Sequence, residues 1–244
     1  DSYKDKPEIF VDGLFEMKIN EPLGLPILGE GLPLFTHPDD KLNWDGLDLP
    51  WMAFGYGISL TPLQTLTFYN AIANNGIMVK PRFIKEVKQF DEIIEEFKTE
   101  IISESICSIE TINVVKNMMK NVVEKKHGTA HNIYSEDISL AGKTGTCQTE
   151  YWKESGLYIS SFVGYFPADK PKYSCVVVIH KPNKNKGYYG NIVAAPVFKE
   201  IAQKITDTIV RVHRLHPPNI IEATAKHGII KTGLAPHKRL FESE

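Results

Sequence analysis

The sequence predicts an α+β fold, an antiparallel sheet flanked by helices, and three observations carry that prediction. Tyr158 to Phe166 and Tyr173 to His180 are apolar runs joined by the turn Pro167-Ala168-Asp169-Lys170-Pro171-Lys172, the pattern of a strand pair. The second run holds Cys175-Val176-Val177-Val178-Ile179 without a polar break, which predicts a strand covered on both faces. Three stretches of helical periodicity, beginning near Thr61, Ser108 and Pro196, can supply that cover.

In chain order, Pro7, Pro22, Pro26, Pro33, Pro38 and Pro50 stand too close together for long helices in residues 1–50. Glu8 to Lys18 can hold one short amphipathic helix through Ile9, Phe10, Leu14 and Phe15. So long a run with little regular structure is expected to wrap a surface or to belong to something larger. Trp51-Met52-Ala53-Phe54-Gly55-Tyr56-Gly57-Ile58 suits a tight aromatic loop packed against the core. A helix start follows, with Thr61 as N-cap, Pro62 at the first position and Gln64 completing a capping box. Leu63, Leu66, Tyr69, Ile72 and Ala73 mark its face, and Gly76 is its stop. Pro81 to Phe97 reads as two short strands joined near Asp91, with a helix from Asp91 as the competing reading. Ser108 caps the next helix, and Glu110 in its first turn suits the dipole. Val115, Met118, Met119, Val122 and Val123 form its stripe; Lys125-Lys126-His127 occupy the last turn and Gly128 ends it. His127 and His131 are four apart, but Gly128 breaks the helix that would align them, which argues against a metal site.

Ile138 and Leu140 lead straight into Ala141-Gly142-Lys143-Thr144-Gly145-Thr146, which therefore lies on a strand. Lys143, Thr144 and Gly145 put a cation, a hydroxyl donor and a side-chain-free position on about 7 Å of extended chain, an edge able to hold a carboxylate. Gly142-Lys143-Thr144 also ends a phosphate-binding loop of the form G-x-x-x-x-G-K-[ST]. That loop requires glycine at position 137, where Asp137 stands, and a helix after Thr144, where no helical pattern follows. Lys231-Thr232-Gly233 repeats the tripeptide after Pro217-Pro218, without paired strands, and reads as a turn. Pro196 to Val212 is the covering helix, with Val197, Ile201, Ile205 and Ile209 on one face. His213 and His216 at its end suit the helix dipole. Residues 1–216 are read as the main unit and 217–244 as a tail or the start of a truncated module.

With 42% hydrophobic and 24% charged residues among 244, the chain has the composition of a globular protein with a substantial core. A formal net charge of -2 shows no nucleic-acid footprint. Cys107, Cys147 and Cys175 are odd in number and lack C-x-x-C spacing, which excludes a fully paired disulfide framework. No apolar run approaches the roughly 20 residues of a membrane-spanning helix, and Asp1-Ser2-Tyr3-Lys4 does not read as a signal peptide.

Five stretches occur here in one order: Phe54-Gly55-Tyr56-Gly57 with Thr61-Pro62-Leu63-Gln64; Ile72-Ala73-Asn74-Asn75-Gly76 with Val79-Lys80-Pro81; Gly128-Thr129-Ala130; Ala141 to Thr146; and Gly164-Tyr165-Phe166-Pro167-Ala168. Over residues 45–210 the chain resembles class B penicillin-binding proteins, in the C-terminal portion of their transpeptidase domain, most closely the division-type, septal branch. The resemblance implies the penicilloyl-serine transferase, or β-lactamase-like, fold, incomplete in this chain. It also implies serine acyl transfer on peptidoglycan stem peptides ending in D-alanyl-D-alanine, β-lactam binding, no cofactor, divisome partners, and a periplasm-facing catalytic domain at the bacterial inner membrane. Three motifs build such a site: S-x-x-K with the nucleophile, S-x-N, and K-T-G. Only the third is present, since no serine here has lysine three residues on or asparagine two residues on. The expectation is a chain without its nucleophile, inactive alone.

By the same resemblance, Lys143 carries positive charge near the nucleophile and the substrate carboxylate, and Thr144 donates a hydrogen bond to that carboxylate. Gly145 leaves room for the substrate backbone. The Thr146 N–H is one of two oxyanion donors, a contribution of roughly 2.7–4 kcal/mol in the transition state, and Thr146 also touches the carboxylate. The family's first two strands would lie beside residues 173–180. That strand is therefore expected to be an open edge taking the missing N-terminal portion or a second copy as partner. Two alternatives share the fold, a non-catalytic cell-wall-binding or division scaffold module and a β-lactamase or carboxypeptidase. The residue at the upstream serine position separates the scaffold from the enzyme, and deacylation rates separate the hydrolases.

Overall fold

In the computed structural model, which describes residues 3–150 and 157–215, the early prolines confine regular structure to α1 (Pro7–Glu16), β1 (Leu34–Phe35) and the short α2 (Asp48–Ala53). The loop expected over Trp51 to Ile58 is thus partly helical. Asp48 places a carboxylate in the first turn of α2, where the dipole favours it. Gly55 (φ 84°) and Gly57 (φ 71°) then take left-handed conformations open to glycine and turn the chain into β2 (Ile58–Ser59), which pairs antiparallel with β1.

The next helix, α3 (Pro62–Ala73), has the predicted capping box. The Gln64 N–H donates to Thr61 Oγ1 at 3.2 Å and the Thr61 N–H to Gln64 Oε1 at 2.8 Å. It ends where Asn75 and Gly76 turn left-handed. Ile72 and Ala73 of the expected face are buried together with Gln64, Thr67 and Ala71, while Leu63, Leu66 and Tyr69 are half-buried. The two polar residues tolerate burial because the Gln64 amide donates to the Gly31 carbonyl (2.9 Å) and the Thr67 hydroxyl to the Leu63 carbonyl (2.8 Å).

Four short strands follow: β3 (Met78–Val79), β4 (Glu86–Gln89), β5 (Glu92–Glu96) and β6 (Ile101–Ser103). β3 pairs with β6, and β4 with β5. Phe90 (φ 48°) and Asp91 (φ 70°) are both left-handed, as the two-residue turns favoured in hairpins require, so the strand reading of this segment holds and the helical one fails.

In α4 (Ile109–Glu124), Ser108 Oγ accepts the Thr111 N–H as predicted. The expected stripe holds at Val115, Met119, Val122 and Val123, which are buried or half-buried, and fails at Met118. Ile112, Met119 and Val123 are buried, whereas Met118 is 61% exposed. Residues 112, 119 and 123 share one side of a 3.6-residue repeat, and 118 stands about 100° round from 119. The helix stops at Glu124, so Lys125 to His127 lie beyond it. Gly128 is needed because a Cβ there would come within 2.3 Å of the Val122 carbonyl, as the chain folds back on the last turn. The Ala130 N–H then donates to that carbonyl at 3.0 Å.

A single 3₁₀ turn (His131–Ile133) leads to the main sheet, β7 (Ala141–Thr149), β8 (Leu157–Phe166) and β9 (Tyr173–His180), antiparallel in the order β7-β8-β9. On one face Ala141 and Tyr165, direct cross-strand partners, join Ala71, Ile72, Ile112 and Met119 in the core beneath α3 and α4. The chain continues through α5 (Gly190–Val193) into α6 (Ala195–Leu215). On the opposite face Phe162 and Phe166 meet the Phe198 ring edge-on, at centroid distances of 4.8 and 5.7 Å. Ala195, Phe198 and Ala202 are the buried positions among the described side chains of α6, while Val197 of the expected face is 39% exposed. β8 is the covered central strand. In β9 only Val177 is fully buried, because among the described residues β9 pairs on one side alone. Lys120 of α4 reaches Asp169 in the turn after β8 (2.6 Å), and that ammonium holds the Asp169 carboxyl below its ordinary range.

The chain divides into two compact units, residues 1–202 and 203–244. Residues 203–215 of the second are helical, with the Gln203 amide donating to Asp207 one turn on at 3.0 Å. The tail 217–244 with its second Lys-Thr-Gly, His216, and the side chains of Ile209 and His213 lie outside the described residues.

Met119→Ala is expected to cost about 2–5 kcal/mol and Met118→Ala no more than about 0.5 kcal/mol, measured by denaturant unfolding. Equal costs would reject the outward placement of Met118. Gly164→Ala would bring a Cβ to 2.1 Å from the Ala141 carbonyl, across the strand pair. Its expected cost is about 1–3 kcal/mol, read as a lowered unfolding midpoint.

Candidate active site

The outer edge of β7 is set by the alternation of an antiparallel ladder. The Gln148 N–H donates to Tyr56 Oη at 3.2 Å, so it points away from β8. Residues of the same parity share that direction, which turns the Thr144 and Thr146 N–H groups outward too. The Thr144 carbonyl obeys the same rule, since it accepts from Lys143 Nζ at 2.8 Å on that edge. Lys143 itself is exposed.

Each predicted site residue has a definite setting. Thr144 Oγ1 lies 3.2 Å from Thr129 Oγ1. Gly145 faces its cross-strand partner Ser161, whose hydroxyl a Cβ would approach to 2.4 Å. Thr146 is exposed, and its hydroxyl accepts the Gly190 N–H at 3.0 Å. Gly190 sits so close to the sheet that a Cβ would lie 2.4 Å from the Ser161 carbonyl and 2.5 Å from that of Gly145.

Two segments that sequence reasoning left outside the site are thereby brought to it. Tyr188-Tyr189-Gly190 packs at the end of β7 and β8. The Ser160 hydroxyl donates to the Tyr188 carbonyl, and the Tyr188 ring stacks on Tyr158 with centroids 4.1 Å apart. The loop after α4 joins from the other side, its Asn132 amide donating to the Asn191 carbonyl at 2.7 Å. A glycine between an aromatic pair and a helix start was the available signal for Gly190. The contact itself spans 44 residues and is invisible to local pattern.

Chemically, the edge offers outward backbone donors, a cation and a hydroxyl within one strand. It can pair with an extended chain, hold a carboxylate and polarise a carbonyl. Among the described residues no group of three or more His, Cys, Asp or Glu could hold a metal ion. No helix among them is long and apolar enough to cross a membrane.

Residues 28–203 match the penicillin binding protein transpeptidase domain. The chain is 32% identical over 197 residues to the peptidoglycan D,D-transpeptidase FtsI of Buchnera aphidicola, covering 80% of this chain and 32% of that protein. It is 30% identical over 208 residues to the penicillin-binding protein PbpB of Mycolicibacterium smegmatis, covering 80% and 31%. It thus spans about a third of the length of these curated relatives. The crystal structure of penicillin-binding protein 3 from Mycobacterium tuberculosis is similar at a TM-score of 0.70 and 29% identity, over 83% of this chain and 46% of that one. The same protein has been solved with ampicillin and with aztreonam. One family accounts for most of the sequence and, independently, for the sheet and helices that present this edge, and the chain belongs to that family, the penicillin-binding protein transpeptidase domain of class B, of which it carries part.

Proposed function

We propose that the complete gene product is a serine-type peptidoglycan D,D-transpeptidase of the septal, division type, to which these residues contribute the sheet-edge side of the active site. In this reading a stem peptide ending in D-alanyl-D-alanine lies along β7, with its terminal carboxylate at the Lys143 ammonium and the Thr144 hydroxyl. The penultimate carbonyl oxygen takes the Thr146 N–H, and Gly145 leaves the edge free of a side chain. A serine outside these residues forms the acyl C–O bond, the C–N bond to D-alanine breaks, and the departing amine takes the proton. An amine of a neighbouring strand then takes the acyl group as the serine ester C–O bond breaks, and the amine's proton returns to the serine oxygen. The catalytic domain faces the periplasm at the inner membrane, among division proteins. The side of β9 that is unpaired among the described residues takes the missing N-terminal portion or a second copy.

The observation that carries this reading is that the Thr146 N–H faces outward on the same edge over which Lys143 folds. The relative solved with ampicillin and aztreonam supports β-lactams as ligands of that edge.

A fluorescent penicillin tests it. The complete gene product is expected to be labelled covalently and residues 1–244 alone are not. In the complete protein Lys143→Ala should slow labelling by roughly 10²–10³-fold, the scale of removing a preorganised charge-stabilising group. Thr144→Val should slow it by about 10–100-fold, the scale of a hydrogen bond to a charged group. Rapid loss of the label would indicate a β-lactamase or carboxypeptidase. A non-catalytic cell-wall-binding or division scaffold module of the same fold is the second reading. A complete protein that takes no label would establish it over the transpeptidase.

A further inference from the structure

The run of outward donors on β7 is cut short by a residue from far upstream. After Thr144 and Thr146, the next N–H of the same parity is that of Gln148, about 7 Å beyond Thr146, and it is taken by Tyr56 Oη at 3.2 Å. The tyrosine is held for this task. Gly55 and Gly57 on either side adopt left-handed conformations, the Tyr56 N–H donates to the Trp51 carbonyl at 3.0 Å, and the Trp51 ring meets the Tyr56 ring edge-on at 5.3 Å. Met52, buried on α2, lies 3.7 Å from where a Gly57 Cβ would stand, fixing the loop from below. A loop built around two glycines thus delivers one hydroxyl to one backbone donor, 92 residues away in sequence.

We infer that Tyr56 is a positioning residue that sets the register of an extended ligand on β7. A strand-like ligand added to this edge could pair at Thr144 and Thr146 or, slipped by two residues, at Thr146 and Gln148. The side-chain faces are the same in both registers, so the pleat does not distinguish them. With the Gln148 N–H occupied, only the first register keeps both donors, and it is the one that sets the ligand beside Lys143. This deepens the transpeptidase reading and rests on it.

Tyr56→Phe in the complete gene product tests the inference, because it removes the hydroxyl and keeps the ring on Trp51. In amide hydrogen exchange the Gln148 N–H is expected to lose about five-fold or more of its protection, the scale of one hydrogen bond, while Lys143 and Gly145 keep theirs. In acylation by ampicillin, slipped and non-productive binding lowers the limiting rate and the half-saturating concentration together, by about three- to ten-fold, and leaves their ratio unchanged. A role in stability alone would lower the fraction of protein labelled and leave the limiting rate and the half-saturating concentration unchanged. An unchanged Gln148 protection, unchanged acylation, or a lowered ratio at constant half-saturation each overturns the register role while leaving the transpeptidase reading intact. A wild-type complete protein that ampicillin fails to acylate overturns the transpeptidase reading, and the register role with it.

Discussion

The rest of the structure depends on the register of β7 against β8. The two strands pair without a bulge from Ala141 opposite Tyr165 to Thr149 opposite Leu157. Because side chains alternate with a period of two, a slip of one residue would exchange the faces of Lys143 and Thr144 and turn the Thr146 N–H into the sheet. The ladder is pinned from both sides. Ala141 and Tyr165 are locked into the core below α3 and α4, and Phe162 and Phe166 are trapped against Phe198 above, each ring contact contributing about 0.5–1.5 kcal/mol beyond its area. Gly142 lies opposite Gly164, and at both positions a Cβ would run into neighbouring backbone or the Phe162 ring, so the pairing tolerates no side chain there.

Around that ladder the site is assembled from pieces distant in sequence. The Thr146 hydroxyl is held from one side by Gly190, the Thr144 hydroxyl meets Thr129, and the Gln148 N–H is taken by Tyr56. Each contact acts on the strand from outside the sheet, so the edge is held in place although β7 is a terminal strand among the described residues. Preorganisation of this kind suits an edge that presents backbone donors, since such groups have no rotamer with which to find a ligand.

Much of this was legible in the sequence where the governing interaction is local. Thr61, Pro62 and Gln64 describe a capping box within four residues, and the chain forms it. Ile138 and Leu140 correctly put Lys143 to Thr146 on a strand, and the turn from Pro167 to Lys172 announced the β8–β9 pair. Reading failed where a distant partner decides. Met118 and Met119 are equally apolar, and only the angle at which α4 meets the sheet selects the second. The unbroken apolar run of β9 suggested cover on both faces, yet burial there is partial because only one neighbouring strand is among the described residues. Gln64 and Thr67 face inward because the Gly31 and Leu63 carbonyls receive them, and hydropathy alone would have turned them out. Tyr56 looked like a packing aromatic until its hydroxyl was seen on Gln148.

The β4–β5 hairpin stands apart from these dependences. Among the described residues its strands pair with each other only, its residues are almost all exposed, and Phe90 at the tip is 94% exposed. A segment whose hydrogen bonds close on themselves can be lengthened at its turn without drawing on any other element. The Phe90-Asp91 turn is therefore a natural insertion point for a fluorophore or an epitope, a handle for following the protein while the β7 edge is left as it is.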